Sequence, residues 1–410
     1  MNASRARMLR CELKAVNRKR LSLSGVFLVL SFFVLPIDAY LGSQGLSFVT
    51  IGILVLFMIS RIVECFIKGR PIKFKLNIVV AYMVYNIILV GNGMLKIGLS
   101  YNNLLFLSMV CFFIVFACWP ASAKELQCIT SVSVVQMVVF IAICFRYVSI
   151  ADGSIYMGIR DIVDPNYLVT NSLLMIAFFL YKFQQTKKIS VVYALIQVCI
   201  LFLYIVCIAF IGSRGGLVTA CAVIVAYLLL QTRKPLRAVL FLAVIGIIGL
   251  ILFFNLLPSY ITERFTLQHI LQDGGSGRLT IWSNYLSYYA EQNLDFWLFG
   301  AGRDVPPTEI YLVEFGREYY SHNLFIKALM EGGVIGIALL IGSMVYLLRN
   351  GIKNKNGLFV AALIAFVVGA MFLDLDNMRT FYIIAAFGVS LSRANMRVWK
   401  GNISLRSAVK

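Results

Sequence analysis

The segment Gly212-Ser213-Arg214-Gly215-Gly216 has the residue types of a phosphate-binding turn. It lies between two long apolar runs, where a charged residue is costly unless it has a function or reaches water. The glycines would open the next helix with backbone N–H groups and the positive helix end facing outward, and Arg214 would add a bidentate guanidinium fork. The sequence therefore predicts a phosphate or pyrophosphate clamp. The alternative is a plain turn whose arginine reaches the lipid headgroups.

A second arginine, Arg278, follows the glycine-rich stretch Gly274-Gly275-Ser276-Gly277 and begins a helical pattern. Arginines at the start of a loop helix are usually solvated, which is the alternative here. The clamp predicted at Arg214 already needs partners. We therefore predict that Arg278 contacts a phosphate group or a sugar.

One of the two histidines, His322, lies in Tyr319-Tyr320-Ser321-His322-Asn323, where a long polar loop meets an apolar run. A neutral imidazole can accept the proton of an incoming hydroxyl group, so His322 is the candidate general base. The alternative is a histidine that caps the helix or contacts a headgroup. The other histidine, His269, lies in a mostly apolar stretch and is predicted to be structural.

The segment Arg160–Tyr167 contains Asp164-Pro165-Asn166, a pattern typical of a turn that caps a helix with proline early in it. A functional interpretation is that its charged and amide side chains bind sugar hydroxyl groups. The full set of predicted substrate-binding residues is Ser213, Gly215, Gly216, Arg160, Asp164, Asn166, Arg303, Tyr320 and Asn323.

The sequence contains no P-loop, dinucleotide-binding glycine motif, HExxH motif or EF-hand. The acidic clusters available to a divalent cation are Asp374 with Asp376, and Asp152 with Asp161 and Asp164. The nine cysteines include no CxxC pair and are predicted to fill space in apolar helices. We therefore expect neither a metal ion nor a cofactor.

Composition places these candidate residues in a membrane protein. Hydrophobic residues make up 60% of the 410 residues, the mean hydropathy is +0.87, and only 13% of residues are charged. Soluble domains contain about 25% charged residues. These values exclude a soluble enzyme and a disordered chain, and the recurring apolar runs of about 20 residues predict an all-α polytopic membrane protein.

The apolar runs predict about twelve transmembrane helices within one integral membrane domain, residues 1–410. They lie near 22–41, 46–67, 74–92, 103–119, 126–147, 166–182, 189–211, 215–231, 236–257, 322–348, 357–373 and 380–395. A large extracytoplasmic loop at 258–321, containing short helices, separates the ninth helix from the tenth. Within that loop, Trp282, Leu286, Tyr289 and Asn293 recur at helical spacing. They predict a helix at the membrane surface, or alternatively one that packs only on the rest of the protein.

Charge asymmetry predicts the orientation of the chain. With the N-terminus inside, 27 of the 37 Lys and Arg residues lie on the inner side and 15 of the 18 Asp and Glu residues on the outer side. Basic residues favour the cytoplasmic side, so both termini are predicted to be cytoplasmic and all the candidate clusters extracytoplasmic. This bias accounts for the net charge of +19 without a nucleic-acid partner.

The order of these motifs resembles the O-antigen ligase/polymerase superfamily of bacterial envelopes, which includes Wzy-type polysaccharide polymerases and WaaL-type O-antigen ligases. The resemblance rests mainly on residues 164–336, and beyond them on topology. Its motifs are Asp164-Pro165-Asn166, Ser213-Arg214-Gly215-Gly216, Gly277-Arg278 with Trp282, Phe299-Gly300-Ala301-Gly302, Ser321-His322-Asn323 and Glu331-x-Gly333-x-x-Gly336.

The resemblance implies a glycosyltransferase on the outer face of the bacterial inner membrane, with a glycan on undecaprenyl pyrophosphate as donor. Arg214 and Arg278 would match the arginines that hold the pyrophosphate, and His322 the histidine that activates the acceptor hydroxyl group. The family is described as needing neither nucleotide sugar nor metal. The partners implied are the lipid-linked glycan and membrane lipids, with a flippase and a chain-length regulator as further candidates.

Three functions stay open. A polymerase of O-antigen, capsule or exopolysaccharide repeats is preferred because polymerases are the more numerous members of the family. In some polymerases two outer loops carry paired Arg-x10-Gly motifs, whereas here Arg160 is followed at that spacing by Asn171 and Arg278 by Tyr289. That two-loop pattern therefore does not transfer, and a ligase that transfers glycan to lipid A core is the alternative. A transporter or flippase of lipid-linked sugar would need charged residues near the bilayer midplane, where the sequence places almost none.

Overall fold

The computed structural model describes most of the chain between residues 21 and 391. The described residues are 21–72, 76–98, 101–151, 154–186, 191–231, 277–312, 319–354, 356–373 and 379–391, with single positions at 240, 255, 262, 263, 266, 268, 269 and 316. Within them the chain is helical apart from one short hairpin and the connecting turns. The expectation of a helical protein is therefore confirmed for the described residues.

The helices and strands are numbered in chain order. The first are α1 (Leu23–Val34), α2 (Asp38–Ser43), α3 (Ser47–Ile67), α4 (Ile78–Ile97), α5 (Tyr101–Cys118) and α6 (Ala123–Arg146). Next come β1 (Val148–Ala151), β2 (Ser154–Met157), α7 (Ile159–Ile162), α8 (Pro165–Asn171), α9 (Leu173–Thr186), α10 (Val191–Ile211) and α11 (Arg214–Gln231). The last are α12 (Arg278–Ala290), α13 (Leu294–Phe299), α14 (Leu324–Lys353), α15 (Gly357–Ala370) and α16 (Arg379–Leu391).

Five of these helices are long and apolar enough to cross a membrane. They are α3, α4, α6, α10 and α14, and their candidate spans are 20 to 30 residues long. Six shorter apolar helices, α1, α5, α9, α11, α15 and α16, coincide with further predicted spans. The remaining predicted span, 236–257, lies almost entirely outside the described residues. The chain is thus a multi-pass membrane protein, and the count of about twelve stays a prediction.

The helix starts are set by polar side chains that accept backbone N–H groups. The Asn77 side chain accepts from Val79 and Val80 at 2.9 and 3.2 Å and begins α4. Ser122 and Glu125 form a reciprocal capping box at the start of α6. Such caps satisfy N–H groups that have no partner inside the helix, and so fix where an apolar run becomes helical.

Aromatic side chains pack the centre of the helix bundle. Phe387 of α16 contacts Phe32 of α1, Phe116 of α5 and Phe178 of α9, with ring centroids 4.9 to 6.0 Å apart. Edge-to-face and tilted contacts of this kind stabilise beyond the buried area alone. By contrast, large apolar side chains on α3 and α4 are exposed, as expected for surfaces that face lipid.

Helices α4 and α14 pack antiparallel and support the loop that joins α13 to the π-helical turn at Pro306–Tyr311. Gly342 lies beside Ile78 at the start of α4, whereas Gly93, near the end of α4, lies beside Arg303 of the loop. Helix α14 is interrupted at Gly333, where φ is +60°. This break opens the helix to the loop, as described below.

The connection after α6 contains a hairpin that the sequence did not predict. Strands β1 and β2 form an antiparallel hairpin, with Val148 opposite Met157 and Ala151 opposite Ser154. The hairpin closes on α6, since Gly158 donates its N–H to the carbonyl of Tyr147 at 2.9 Å. It leads the chain into α7 and then α8, where the first site residues lie.

Candidate active site

Ser213 and Asn166 join the starts of α11 and α8. The Ser213 hydroxyl donates to Asn166 Oδ1 at 2.7 Å and accepts the N–H of Gly216 at 3.0 Å. Ser213 is buried, so this bond is shielded from water. The structure thus brings together two segments that are 47 residues apart in the sequence.

The Asp164-Pro165-Asn166 segment is a helix cap, as one of its two interpretations expected. The Asp164 carboxylate accepts the N–H of Asn166 at 2.8 Å, and α8 begins at Pro165. Asp164 is exposed and Asn166 is half-buried, so the capping bond leaves both near the surface. Arg160 lies in α7, and the placement of its side chain is outside what the structure describes.

The two glycines of the first cluster allow close packing. A Cβ on Gly216 would lie 2.8 Å from Val169 Cβ, and one on Gly215 would lie 3.4 Å from Phe372 Cβ. The Gly216 N–H group is already bonded to the Ser213 hydroxyl, so it is not open to a phosphate. Half-buried Arg214, the first residue of α11, stands at the positive end of that helix.

His322 occupies a strained turn directly before α14. Its φ is +49°, in the left-handed region that non-glycine residues rarely adopt. The cap of α14 is the next residue, Asn323, whose side chain accepts the N–H groups of Phe325 and Ile326 at 2.9 and 3.2 Å. The side chain that caps α14 is therefore that of Asn323, and the His322 imidazole beside it is half-buried.

Asn323 also connects the His322 turn to the Arg214 cluster. Its Nδ2 donates to the carbonyl of Met371 at 3.3 Å. The following residue, Phe372, is the side chain against which Gly215 packs. The starts of α14 and α11 therefore meet at the C-terminal end of α15, and His322 and Arg214 lie at the same end of the bundle.

Helix α12 brings Arg278 toward the same segment. The Trp282 indole donates to the carbonyl of Ser321 at 2.7 Å, and the Tyr285 hydroxyl donates to the carbonyl of Tyr319 at 2.5 Å. Residues four apart share one face of a helix, so Arg278 lies on the face of α12 that carries Trp282. The three predicted catalytic residues thus come from helix starts that gather around Ser321-His322-Asn323.

Two other predicted substrate-binding residues differ in their surroundings. Tyr320 is half-buried and lines a small cleft together with Ser321. Arg303 is completely buried, and its guanidinium carbon lies 4.0 Å from the centre of the Phe106 ring, with Nη1 3.5 Å from Asn86 Oδ1. The structure does not place Arg303 with the other candidates, because a stacked, buried guanidinium supports the fold at that point.

A buried ionic cluster beside the cleft was missed as a site. Lys327 Nζ lies 3.5 Å from both Asp304 Oδ1 and Glu331 Oε1. The available signal was the Lys–Glu pair four residues apart within an apolar helix, where charged residues usually have a function. Asp304 gave no signal, because it reaches Lys327 only through the tertiary fold.

Among the residues that the structure describes, no group of three or more His, Cys, Asp or Glu side chains is placed to hold a metal ion. Asp374 and Asp376 lie outside the described residues, as do Asp152 and the Asp161 side chain.

The fold, together with the helix starts that meet around His322, defines a multi-pass helical membrane protein with two arginines and a histidine at one end. Residues 199–341 match the family model described as O-antigen ligase, and the match confirms the resemblance to the O-antigen ligase/polymerase superfamily. That family implies glycosyl transfer in general. The matched segment contains Arg214, Arg278 and His322. Among curated proteins, no sequence matches the chain.

Proposed function

We propose that this protein is a glycosyltransferase that polymerises undecaprenyl-pyrophosphate-linked oligosaccharide repeats on the outer face of the bacterial inner membrane. The observation that carries the proposal is the junction of α11, α14 and α15 through Asn323, Met371, Phe372 and Gly215, which puts Arg214 and His322 at one end of the bundle. The Trp282–Ser321 bond adds the helix of Arg278 to that end.

The chemistry follows from the charges of these groups. The acceptor hydroxyl oxygen attacks the anomeric carbon of the donor sugar, and the bond from that carbon to the pyrophosphate oxygen breaks. His322 takes the hydroxyl proton, and the pyrophosphate leaves with added negative charge. Arg214 and Arg278 stabilise this charge, assisted at Arg214 by the positive end of α11.

The test is a deletion strain that is complemented with wild type or with single alanine variants, with surface glycan separated on a gel at matched protein levels. We expect Arg214→Ala, Arg278→Ala and His322→Ala to leave at most one repeat, since losing one charge-stabilising donor costs about 100-fold or more in rate. Arg146→Ala and His269→Ala are the matched controls and should restore the full ladder. Wild-type ladders from all three site variants would overturn the proposed site.

A ligase is the second candidate, because the matched family model is described as O-antigen ligase. In that case the deletion strain would still make polymer, but the polymer would stay lipid-linked and would not reach its acceptor. A transporter predicts a third pattern, in which lipid-linked repeats accumulate on the cytoplasmic side. The gel, combined with extraction of lipid-linked material, separates these outcomes.

A further inference from the structure

Three buried charged side chains meet where the loop before the π-helical turn crosses the first turns of α14. Lys327 Nζ lies 3.5 Å from Asp304 Oδ1 and 3.5 Å from Glu331 Oε1, and the backbone N–H of Asp304 donates to the same Glu331 oxygen at 2.9 Å. All three side chains are at most 6% exposed. Desolvating such charges costs several kcal/mol for each ion, so their arrangement needs an explanation beyond stability.

The cluster holds a loop against the break in α14. At Gly333 the backbone leaves the helical conformation, and the N–H groups of Ala301 and Gly302 donate to the carbonyls of Met330 and Glu331 at 2.9 and 3.0 Å. A Cβ on Gly300 would lie 2.4 Å from the Glu331 carbonyl carbon, so any side chain at this position would clash with the backbone of α14.

The same loop is tied on its other side to α4. Lys96 Nζ donates to the carbonyl of Ala301 at 2.7 Å, and the N–H of Arg303 donates to the carbonyl of Leu89 at 3.0 Å. The loop is thus a wedge that joins α4 to the first turns of α14. Asp304 at its end is the residue that reaches the ionic cluster.

The wedge lies next to the His322 turn. Lys327 and Glu331 line the cleft that Tyr320 and Ser321 also line. Among the described residues, Asp304 and His322 are the non-glycine residues with positive φ, at +58° and +49°. Strained backbone of this kind persists where the surrounding structure over-determines it, and it clusters at active sites.

We propose that Lys327, Asp304 and Glu331 are positioning residues, which fix the first turns of α14 against the 300–304 loop and so hold His322 at the acceptor hydroxyl group. This inference rests on the proposed glycosyl transfer. A general base must lie within hydrogen-bond reach of the proton that it takes, so the cluster acts on the rate through geometry.

A second buried ion pair provides a matched control. Arg61 Nη2 lies 2.6 Å from Glu125 Oε1, with side chains 2% and 3% exposed. This pair lies beside Gly25 at the start of α1, whereas the 3₁₀ turn Leu35–Ile37 that follows α1 packs on α8 at the candidate site. It therefore matches the cluster as a buried ionic contact but lies at the opposite end of the bundle.

The experiment compares purified full-length wild type, Glu331→Gln, Glu331→Asp, Lys327→Met and Glu125→Gln. The substrate is the lipid-linked repeat unit extracted from the deletion strain. We expect Glu331→Gln and Lys327→Met to lower kcat about 100-fold with little change in KM, because a small misplacement of a catalytic group has an effect of that size. Glu125→Gln should lose thermal stability to a similar degree but keep its kcat. Glu331→Asp, which retains the charge, should recover part of the rate.

The outcomes separate this inference from the proposed function. If Glu331→Gln and Lys327→Met lose stability as Glu125→Gln does and keep a wild-type kcat, the cluster is structural only and the inference is overturned. If either variant fails to fold, Glu331→Asp decides, since a wild-type kcat in that variant also overturns it. If His322→Ala itself retains the wild-type rate, the proposed function fails first.

Discussion

At the start of α11, the backbone of Gly216 lies against two side chains at once. A Cβ there would be 2.5 Å from the Ser213 hydroxyl oxygen and 2.8 Å from Val169 Cβ. Atoms this close cannot coexist without a shift of backbone or side chain. The same shift would disturb the Ser213–Asn166 hydrogen bond. The lack of a side chain on Gly216 is therefore needed for the observed geometry around Arg214.

The variant Gly216→Ala tests this packing. We expect it to lower the free energy of unfolding by about 1–3 kcal/mol, because the added methyl group forces α11 away from α8. Gly91→Ala in α4 is the control, since no atom lies within 4 Å of its Cβ position and alanine is the better helix former by about 1 kcal/mol. Thermal unfolding in detergent measures both, and equal stability of the two variants would contradict the packing explanation.

Helices α12 and α13 have one face on the protein and one apolar face directed outward. Ile281 and Tyr285 are buried, whereas Leu286, Leu294 and Trp297 are 46%, 66% and 42% exposed. Tyr289 and Trp297 each donate a side-chain hydrogen bond to the carbonyl of the other at 2.7 Å. Burial raises the pKa of Tyr289, so its phenol stays protonated and can donate.

The outer face of this helix pair continues the exposed apolar surface of α14. Leu298 of α13 packs beside Gly333 of α14, and the next residue of α14, Val334, is half exposed. Helix α14 is long and apolar enough to span a membrane. One face of the loop helix therefore packs on the protein, and the placement of its other face at the membrane surface stays a prediction.

We expect Trp297 to lie in the lipid interface. A variant that keeps Trp297 and replaces Trp119, Trp282 and Trp399 by phenylalanine reports on this position alone. In vesicles, its fluorescence should be quenched strongly by lipids brominated near the headgroup and weakly by aqueous iodide, because tryptophan favours the lipid–water boundary. A matched variant that keeps only Trp282, whose indole is bonded to Ser321, should respond less to the brominated lipid. The reverse order would place α13 in water.

The sequence predicted the local features of these elements and few of the contacts between them. Apolar runs located the helices because burial in lipid imposes a length and a composition on each one. The cap at Asp164 was likewise visible as a local pattern. The β1–β2 hairpin was not, since its strands are only four residues long, and neither was the burial of Arg303, which depends on Asn86 and Phe106 from distant helices.

The candidate site was predictable to the extent that residue type alone identifies functional residues in an apolar sequence. Arg214, Arg278 and His322 are polar residues beside apolar runs, and the structure gathers their helix starts at one end. Their convergence depends on bonds such as Asn323 to Met371, across 48 residues, for which spacing gives no signal. The contact of Asp304 with the Lys327–Glu331 pair escaped notice for the same reason, because it forms only when the 300–304 loop meets the break in α14.

At the scale of the whole molecule, the structure constrains how the chain crosses the membrane. Arg214 and His322 lie at the same end of the bundle, so α11 and α14 begin on the same side. Helix α11 then ends on the opposite side, at Gln231. The 13 and 6 residues of α12 and α13 are too few to span a bilayer. We therefore predict an odd number of crossings between Gln231 and Arg278.

We expect the predicted ninth helix, 236–257, to supply that crossing, and this expectation can be tested directly. We expect alkaline phosphatase fused after Gln231 to be inactive and the same enzyme fused after Gln292 to be active, because the phosphatase folds only outside the cytoplasm. Green fluorescent protein at the C-terminus should fluoresce, since three apolar helices, α14 to α16, return the chain to the inner side. A fusion after Gly69, in a basic connection, is the cytoplasmic control. Equal phosphatase activity after Gln231 and Gln292 would mean that 236–257 does not cross. The chain would then cross eleven times, its termini would lie on opposite sides, and the pairing of Arg214 with His322 on one face would fail with it.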